Sequence, residues 1–91
     1  MAVRTVTTSS TVLIRKNARR AQILIQNTGT EPALIRVDGD PDTDNYDFIL
    51  AADTGARAGS GGLVTIEKIQ GEIRAIVENN STTLAVKEIF G

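Results

Sequence analysis

Apolar and polar residues alternate at every second position through most of this 91-residue chain. Successive side chains of a β-strand point to opposite faces, so this period predicts strands with one buried side. The sets expected to point inward are Ala21, Ile23 and Ile25; Ala33, Ile35 and Val37; Ile73, Ala75 and Val77; and Leu84, Val86 and Phe90. No window carries an apolar stripe at the helical period of about 3.6 residues. The chain is therefore expected to be all-β.

Turn signals separate these runs at short intervals. NTGTEP at 27–32, QG at 70–71 and NNS at 79–81 are typical of hairpin turns, because Asn and Gly tolerate the positive φ that such turns need. Ile, Val, Leu and Thr, which suit strands, are abundant. The sequence predicts a single small antiparallel β-sandwich or barrel of about seven strands.

The length allows one domain with one core. Residues 1–14 are expected to form an extended N-terminal arm, because TVTTSS has strand propensity but little to bury. Residues 15–91 are expected to form the sandwich. The segment AADTGARAGSGG at 51–62 is small and Gly-rich, which is typical of a mobile loop.

The chain has no histidine and no cysteine, and this restricts its chemistry. Disulfides, thiolate metal sites and histidine-based acid–base catalysis are excluded. The glycine-rich surroundings of Ser60 approach a nucleophile elbow, but a Ser–His–Asp triad would lack its base. We expect a protein that is not an enzyme and that holds no cofactor. No stretch resembles a signal peptide or a membrane span, so we expect a soluble, cytoplasmically made chain without a membrane partner.

Charge is divided unevenly along the chain. Residues 1–20 contain five basic residues and no acid: Arg4, Arg15, Lys16, Arg19 and Arg20. Residues 31–53 contain seven acids against the single basic residue Arg36. Opposite charge blocks on a small domain favour contacts between subunits or with a partner surface. We therefore predict that the basic set, together with Asp40, Asp42 and Asp44, binds a partner.

The stretch DGDPDTDNYD has a carboxylate at every second position, namely Asp38, Asp40, Asp42 and Asp44. These four residues are the candidates for a metal site. A calcium loop of the EF-hand type needs glutamate at its twelfth position. Counting from the first or the second aspartate places Ile49 or Ala51 there, so both registers fail. A solvated turn begun by Gly39 and Pro41 is the preferred interpretation, and a looser calcium site is the alternative.

The basic set does not predict nucleic-acid binding. β-type nucleic-acid modules pair positive charge with exposed aromatic side chains for stacking. Only Tyr46, Phe48 and Phe90 are aromatic here, and the sequence pI is acidic. A solvated strand edge or one side of a subunit contact explains the basic set better.

The order of the elements resembles a known class of proteins. The run RRAQILIQNTGTEPALIRVDG, a Gly-rich segment, and then GLVTIEKIQGEIRAIVENNSTTLAVKEIF are similar to small β-sandwich structural proteins of tailed bacteriophages. The resemblance covers about residues 19–90. It implies a head decoration or cement protein, or otherwise a head–tail or fibre-associated protein, and it brings no catalytic residues.

The resemblance also implies partners and a location. The partners would be the major capsid protein or other virion proteins, and the chain would form a homo-oligomer, such as a trimer, or an array on the particle. The protein would sit on the capsid surface of the virion after assembly in the host cytoplasm. By analogy, residues 1–20 are the expected bridging contact.

A second class of function stays open from the sequence. It is a ligand- or carbohydrate-binding sandwich, with a calcium-dependent form at residues 38–47. Carbohydrate platforms usually present exposed aromatic side chains, and the acidic stretch supplies only Tyr46. The virion structural protein is therefore the leading hypothesis.

Overall fold

The computed structural model describes residues 2–53 and 61–90, which form eight β-strands and no helix. The strands are β1 (Ala2–Val6), β2 (Thr11–Ile14), β3 (Arg20–Asn27), β4 (Ala33–Val37), β5 (Phe48–Leu50), β6 (Leu63–Glu67), β7 (Ile73–Val77) and β8 (Thr82–Phe90). Within these residues, no helix is long and apolar enough to cross a membrane.

Two four-stranded antiparallel sheets pack against each other. The first sheet has the order β1-β8-β3-β6, and the second has the order β2-β7-β4-β5. The chain crosses between the sheets at every connection except the one from β4 to β5, which pair directly. Eight strands in this arrangement form a jelly roll, a sandwich made of two Greek keys. The predicted all-β sandwich is confirmed, with one strand more than expected.

The core lies between the two sheets and is aliphatic. Ile23, Ile25, Ile35, Ile73 and Leu84 are fully buried there. Most residues that the alternation assigned to the inside are buried, so the pattern identified the inner faces correctly. Val37 is half-buried, and two further positions differ at an irregularity where β3 meets the end of β8. The β3–β8 register shifts between Arg20 and Gln22, which places Ala21 at a bulge, and Phe90 at the end of β8 is 56% exposed.

The turn signals were located correctly, but the expected hairpins are wrong. Residues 28–32 carry the chain from the first sheet to the second, as do residues 68–72, and residues 78–81 carry it back. Asn80 has the expected positive φ of 60°. The strands on either side of each turn nevertheless lie in different sheets. Among residues 2–53 and 61–90, the one hairpin formed by consecutive strands is closed by residues 38–47, the acidic stretch.

The predicted N-terminal arm is not observed. Residues 2–6 form β1, which pairs with β8 along its whole length, and residues 11–14 form β2, which pairs with β7. Val6 is fully buried in the core. The sequence did not predict that this segment belongs to the core, because its few apolar residues are distributed over two sheets. Residues 54–60, including Ser60, lie outside the described residues, so the expectation of a mobile loop at 51–62 is untested there.

Candidate functional site

Three connections meet at one end of the sandwich, which we call the Arg20 end. They are residues 15–19, 38–47 and 68–72. The antiparallel pairing of β3, β4, β7 and β8 brings these segments together. Most of the predicted partner-binding residues therefore lie at one end of the molecule.

Arg20 is buried at this end, with 1% of its surface exposed. Its Nη1 atom donates hydrogen bonds to the carbonyl oxygens of Ile69 (3.2 Å) and Gly71 (2.9 Å), and Nη2 donates to the carbonyl of Arg15. Its Nε atom lies 3.7 Å from the Glu88 carboxylate but has no hydrogen-bond acceptor among the described residues. The prediction that Arg20 is an exposed contact residue is wrong, because its guanidinium is used up in joining two connections.

The connection 15–19 is held against the turn 68–71 by further bonds. The Asn17 amide donates to the Gln70 carbonyl at 2.8 Å, and Gln70 Nε2 donates to the Ala18 carbonyl at 2.9 Å. Within the connection, Asn17 Oδ1 accepts the Arg19 amide at 2.9 Å. Together with Arg20, these bonds fix the backbone of both segments.

Four cationic side chains are exposed on this fixed backbone: Arg15, Lys16, Arg19 and Lys68. We call them the basic platform. Lys68 has a φ of 60°, an unfavourable value for a residue with a side chain, and its amide donates to the carbonyl of Ala21 at the bulge (2.9 Å). Lys68 was not predicted from the sequence, because it is distant from the other three along the chain.

An open depression of about 570 Å³ lies beside the basic platform. Arg19, Lys68, Gln22 and Gln70 line it together with one acid, Glu67. The surface thus combines two cations with amide groups that donate hydrogen bonds. It is suited to carboxylate groups on a partner's surface.

Arg4 lies apart from the platform. It is exposed on β1, and it shares a cleft of about 390 Å³ with Arg15 and Glu88, between the edge strands β1 and β2. In the β1–β8 register Arg4 lies opposite the buried Leu84, so it is on the inward side of an edge strand. A charge in this position discourages pairing of the edge with other chains.

The acidic loop, residues 38–47, folds over the outer face of the second sheet. Asp40 accepts a hydrogen bond from Ser10 Oγ (2.8 Å) and forms an ion pair with Arg74 of β7 (3.2 Å). The carbonyl of Asp40 accepts a bond from Arg36 of β4 (3.2 Å). One residue thus attaches the loop to β4 and β7 and to the start of β2.

This position explains two residues buried on the outer side of the sheet. Leu34 and Ile76 point away from the core but are only 3% and 9% exposed. They are direct cross-strand neighbours in the β4–β7 pair. Pro41, which follows the anchoring Asp40, is buried as well. The acidic loop is the described segment held at this face, so we infer that it covers the apolar pair.

Three other carboxylates of the loop accept hydrogen bonds from backbone amides. Asp38 Oδ1 accepts the Glu72 amide (3.2 Å), and Asp47 Oδ2 accepts the Val37 amide (2.8 Å). Asp42 Oδ1 accepts the amides of Asp44 and Asn45, each at 2.8 Å. The pKa of the Asp42 carboxyl is lowered, first by the Asp44 amide and next by the Asn45 side chain. The sequence interpretation was a solvated turn begun by Gly39 and Pro41; residues 42–47 are exposed, but Pro41 itself is buried.

The candidate calcium ligands are directed to different partners. Asp38 faces the turn before β7, Asp40 faces Arg74, and Asp42 faces its own loop. Across residues 2–53 and 61–90, no group of three or more acidic side chains is arranged to hold a metal ion. The fourth candidate, Asp44, is exposed in the same loop. The geometry gives no support to a calcium site.

The opposite charge blocks meet within one chain. Lys16 lines a groove of about 430 Å³ together with Asp38, Asp40 and Arg74. Arg74 also binds Glu72, and that hydrogen bond is the main cause of a raised Arg74 pKa. Arg36 and Arg74 are direct cross-strand neighbours, so Asp40 and Glu72 offset their repulsion. Part of the acidic charge is therefore balanced internally.

A buried hub at the opposite end, which we call the Asn27 end, was not predicted from the sequence. Asn27 is fully buried, and its Nδ2 atom donates to the carbonyls of Glu31 (2.8 Å) and Leu50 (3.0 Å). Its Oδ1 atom accepts bonds from the Gly29 amide (3.0 Å) and from Thr82 Oγ1 (2.7 Å). The motif NTG predicted a turn at this position but did not indicate that Asn27 forms buried hydrogen bonds.

Comparisons of the chain with protein-family models, with curated proteins and with solved structures find no significant match.

Proposed function

We propose that this chain is a non-enzymatic structural protein of a virion, a capsid decoration or cement protein that binds the head and stabilises it. Its partner in this proposal is an acidic surface of the major capsid protein. The basic platform makes the contact. The N-terminal segment is not assigned a bridging role, because residues 2–14 already belong to the two sheets.

The observation that carries the proposal is the rigid presentation of exposed cations. Four basic side chains project from a backbone that Arg20 holds through three carbonyl oxygens. A surface that is ordered before binding loses less conformational entropy on association. The platform is thus suited to repeated attachment on a particle, where many copies bind the same surface.

Two further features support an assembly role. The chain has no histidine or cysteine, which removes the usual side chains for acid–base and thiolate catalysis. The jelly roll is a fold that viral capsid domains use, although lectin domains use it too, so the fold alone is an analogy. The platform and the residue inventory favour the structural role over the lectin role.

Binding to capsids tests the proposal directly. Particles assembled from the products of the neighbouring genes are mixed with the purified chain, sedimented, and analysed for bound protein. We expect saturable binding at fixed stoichiometry that weakens as salt is raised, because exposed charges are screened. Failure to sediment with the particles at low salt would contradict the proposal.

A matched pair of variants locates the contact. Lys16→Gln with Arg19→Gln removes two positive charges from the platform. Thr30→Glu with Asn79→Glu changes the net charge by the same amount at exposed positions of the Asn27 end. We expect the first variant to lose at least tenfold in affinity and the second to bind normally. Equal losses in both would show that only net charge matters and would remove the platform from the proposal.

A further inference from the structure

The outer face of the first sheet carries apolar side chains that are more exposed than Leu34 and Ile76 on the second sheet. Residues that alternate with the core positions of β1, β8, β3 and β6 point outward here, and we call this surface the open face. Val3 is 60% exposed and Leu63 is 57% exposed. On the second sheet, by contrast, the outward Leu34 and Ile76 are buried. An outward apolar side chain of comparable exposure there is Ile49, on the edge strand β5, at 54%.

We propose that the open face binds a second copy of this chain in a twofold-symmetric dimer. The register of the strands and the positions of two opposite charges support this dimer. The association is a property of the isolated protein and does not depend on the virion role.

The register places the outward residues in rows across the sheet. Val3, Ala85, Gln26 and Leu63 are successive cross-strand neighbours in the first row. Lys87, Leu24 and Thr65 form the second row, and Ile89, Gln22 and Glu67 form the third. Strand β3 therefore lies between Lys87 on β8 and Glu67 on β6.

A twofold axis parallel to β3 makes this face complementary to itself. The rotation exchanges the β8 side with the β6 side and keeps each row at its own level. Leu63 of one copy then lies over Ala85 of the other, whose small side chain leaves room beside Val3. Because the axis is twofold, the contact between Leu63 and Ala85 occurs twice in the dimer.

The same rotation pairs opposite charges. Lys87 of one copy approaches Glu67 of the other, since the second and third rows are about 7 Å apart along the strands and both side chains are long. Both residues are exposed in the single chain. An axis across the strands would instead keep each strand over the same strand of the other copy, so Lys87 on β8 and Glu67 on β6 would stay on strands about 10 Å apart and would not face each other. The charges thus select the orientation.

The expected strength follows from the size of the face. With the axis along β3, the strands that overlap are β8, β3 and β6, and three strands about 4.8 Å apart and five residues long give a patch of roughly 14 by 17 Å. Such a patch is smaller than the interfaces of most stable complexes. We therefore expect a weak dimer that forms at high protein concentration.

The test is sedimentation equilibrium of the isolated chain over a wide range of concentration. We expect a monomer–dimer equilibrium for the natural sequence. Leu63→Asp should yield a monomer, whereas Ile49→Asp, at an almost equally exposed position of the second sheet, should leave the equilibrium unchanged. A chain that stays monomeric throughout, or one that Ile49→Asp dissociates equally well, would overturn the proposal.

A charge exchange provides the decisive variant. Lys87→Glu alone and Glu67→Lys alone should each weaken dimerisation at least tenfold, because each places like charges opposite one another. The double variant should restore the equilibrium. Within one chain β3 separates the two residues, so the rescue reports on contact between copies. Circular dichroism and melting curves check that every variant is folded, and a double variant as weak as either single variant would contradict the proposed axis.

Discussion

The two ends of the sandwich are each held by one buried polar side chain of β3, but they use it differently. At the Asn27 end, the amide makes four hydrogen bonds, two of them fully buried, to neutral groups of the chain. At the Arg20 end, the guanidinium binds three carbonyl oxygens at part-buried positions, and exposed cations surround it. The Asn27 end is held by hydrogen bonds between neutral groups, whereas the Arg20 end exposes positively charged side chains.

We expect the Asn27 end to contribute mainly to the stability of the fold and the Arg20 end to contribute mainly to binding. Water cannot replace the buried bonds of Asn27, so that end contributes strongly to the stability of the fold. Water can reach part of the surroundings of Arg20, so its loss should cost less free energy but should loosen the surface that displays the basic platform.

The largest effect is expected from Asn27→Ala. Removal of the amide takes a hydrogen bond from groups on three segments, two of them at fully buried positions, and we expect a loss of about 3 kcal/mol in the free energy of unfolding. Urea denaturation measures it. Asn79→Ala, at an exposed asparagine of the same end, is the control and should change little. Similar midpoints for the two variants would contradict the role of Asn27 as a hub.

Arg20→Met should have the next largest effect. Methionine keeps much of the side-chain volume but leaves three carbonyls without their donor, and we expect a loss of about 2 kcal/mol. Hydrogen exchange should accelerate at the Asn17 amide, which joins the two connections. Arg19→Met is the control, since Arg19 is exposed and should be neutral. A stable Arg20→Met variant with unchanged exchange would show that the connections hold without the guanidinium.

Asp40→Ala should detach the acidic loop from the second sheet. The ion pair with Arg74 is largely solvent-exposed, so the melting temperature should fall by only a few degrees. The clearer signal is exposure of Leu34 and Ile76, which dye binding or methyl NMR shifts report. Asp44→Ala, in the same loop, is the control. Unchanged methyl shifts in Asp40→Ala would mean that the loop does not cover these residues.

Acid should weaken the acidic loop through Asp42. Because the folded-state pKa of Asp42 lies below its ordinary value of 3.8, its contribution is present above that pH and is lost as the pH falls through the folded-state pKa. The difference in melting temperature between the natural chain and Asp42→Ala should therefore be greatest near neutral pH and should vanish in acid. A difference that is constant with pH would contradict the role of the carboxylate.

The smallest effect on stability is expected at the basic platform. Lys16→Gln with Arg19→Gln should change the free energy of unfolding by less than about 0.5 kcal/mol, as is usual for exposed positions. The same variant should lose capsid binding. A marked loss of stability would show that these side chains support the fold, and the contrast between the two ends would weaken.

The sequence indicated much of the local structure but little of the site. Alternation identified the inward residues of β3, β4, β7 and β8, and Gly, Asn and Pro marked the connections. The roles of Arg20 and Asn27 could not be read from the sequence, because each depends on carbonyl groups far away along the chain, such as those of Gly71 and Leu50. The place of Lys68 in the basic platform could not be predicted either, because Lys68 is distant along the chain from the other three cations.

The sequence by itself determined that the chain is all-β, which side of most strands faces the core, and where the chain turns. These are local properties, set by a two-residue period and by residues that favour turns. Only the tertiary structure decided which strands pair, because every amphipathic strand presents the same pattern to any neighbour. It therefore also decided that the acidic loop is held against the outer face of the second sheet, that Arg20 is buried, and that Val3 and Leu63 are exposed on the first sheet.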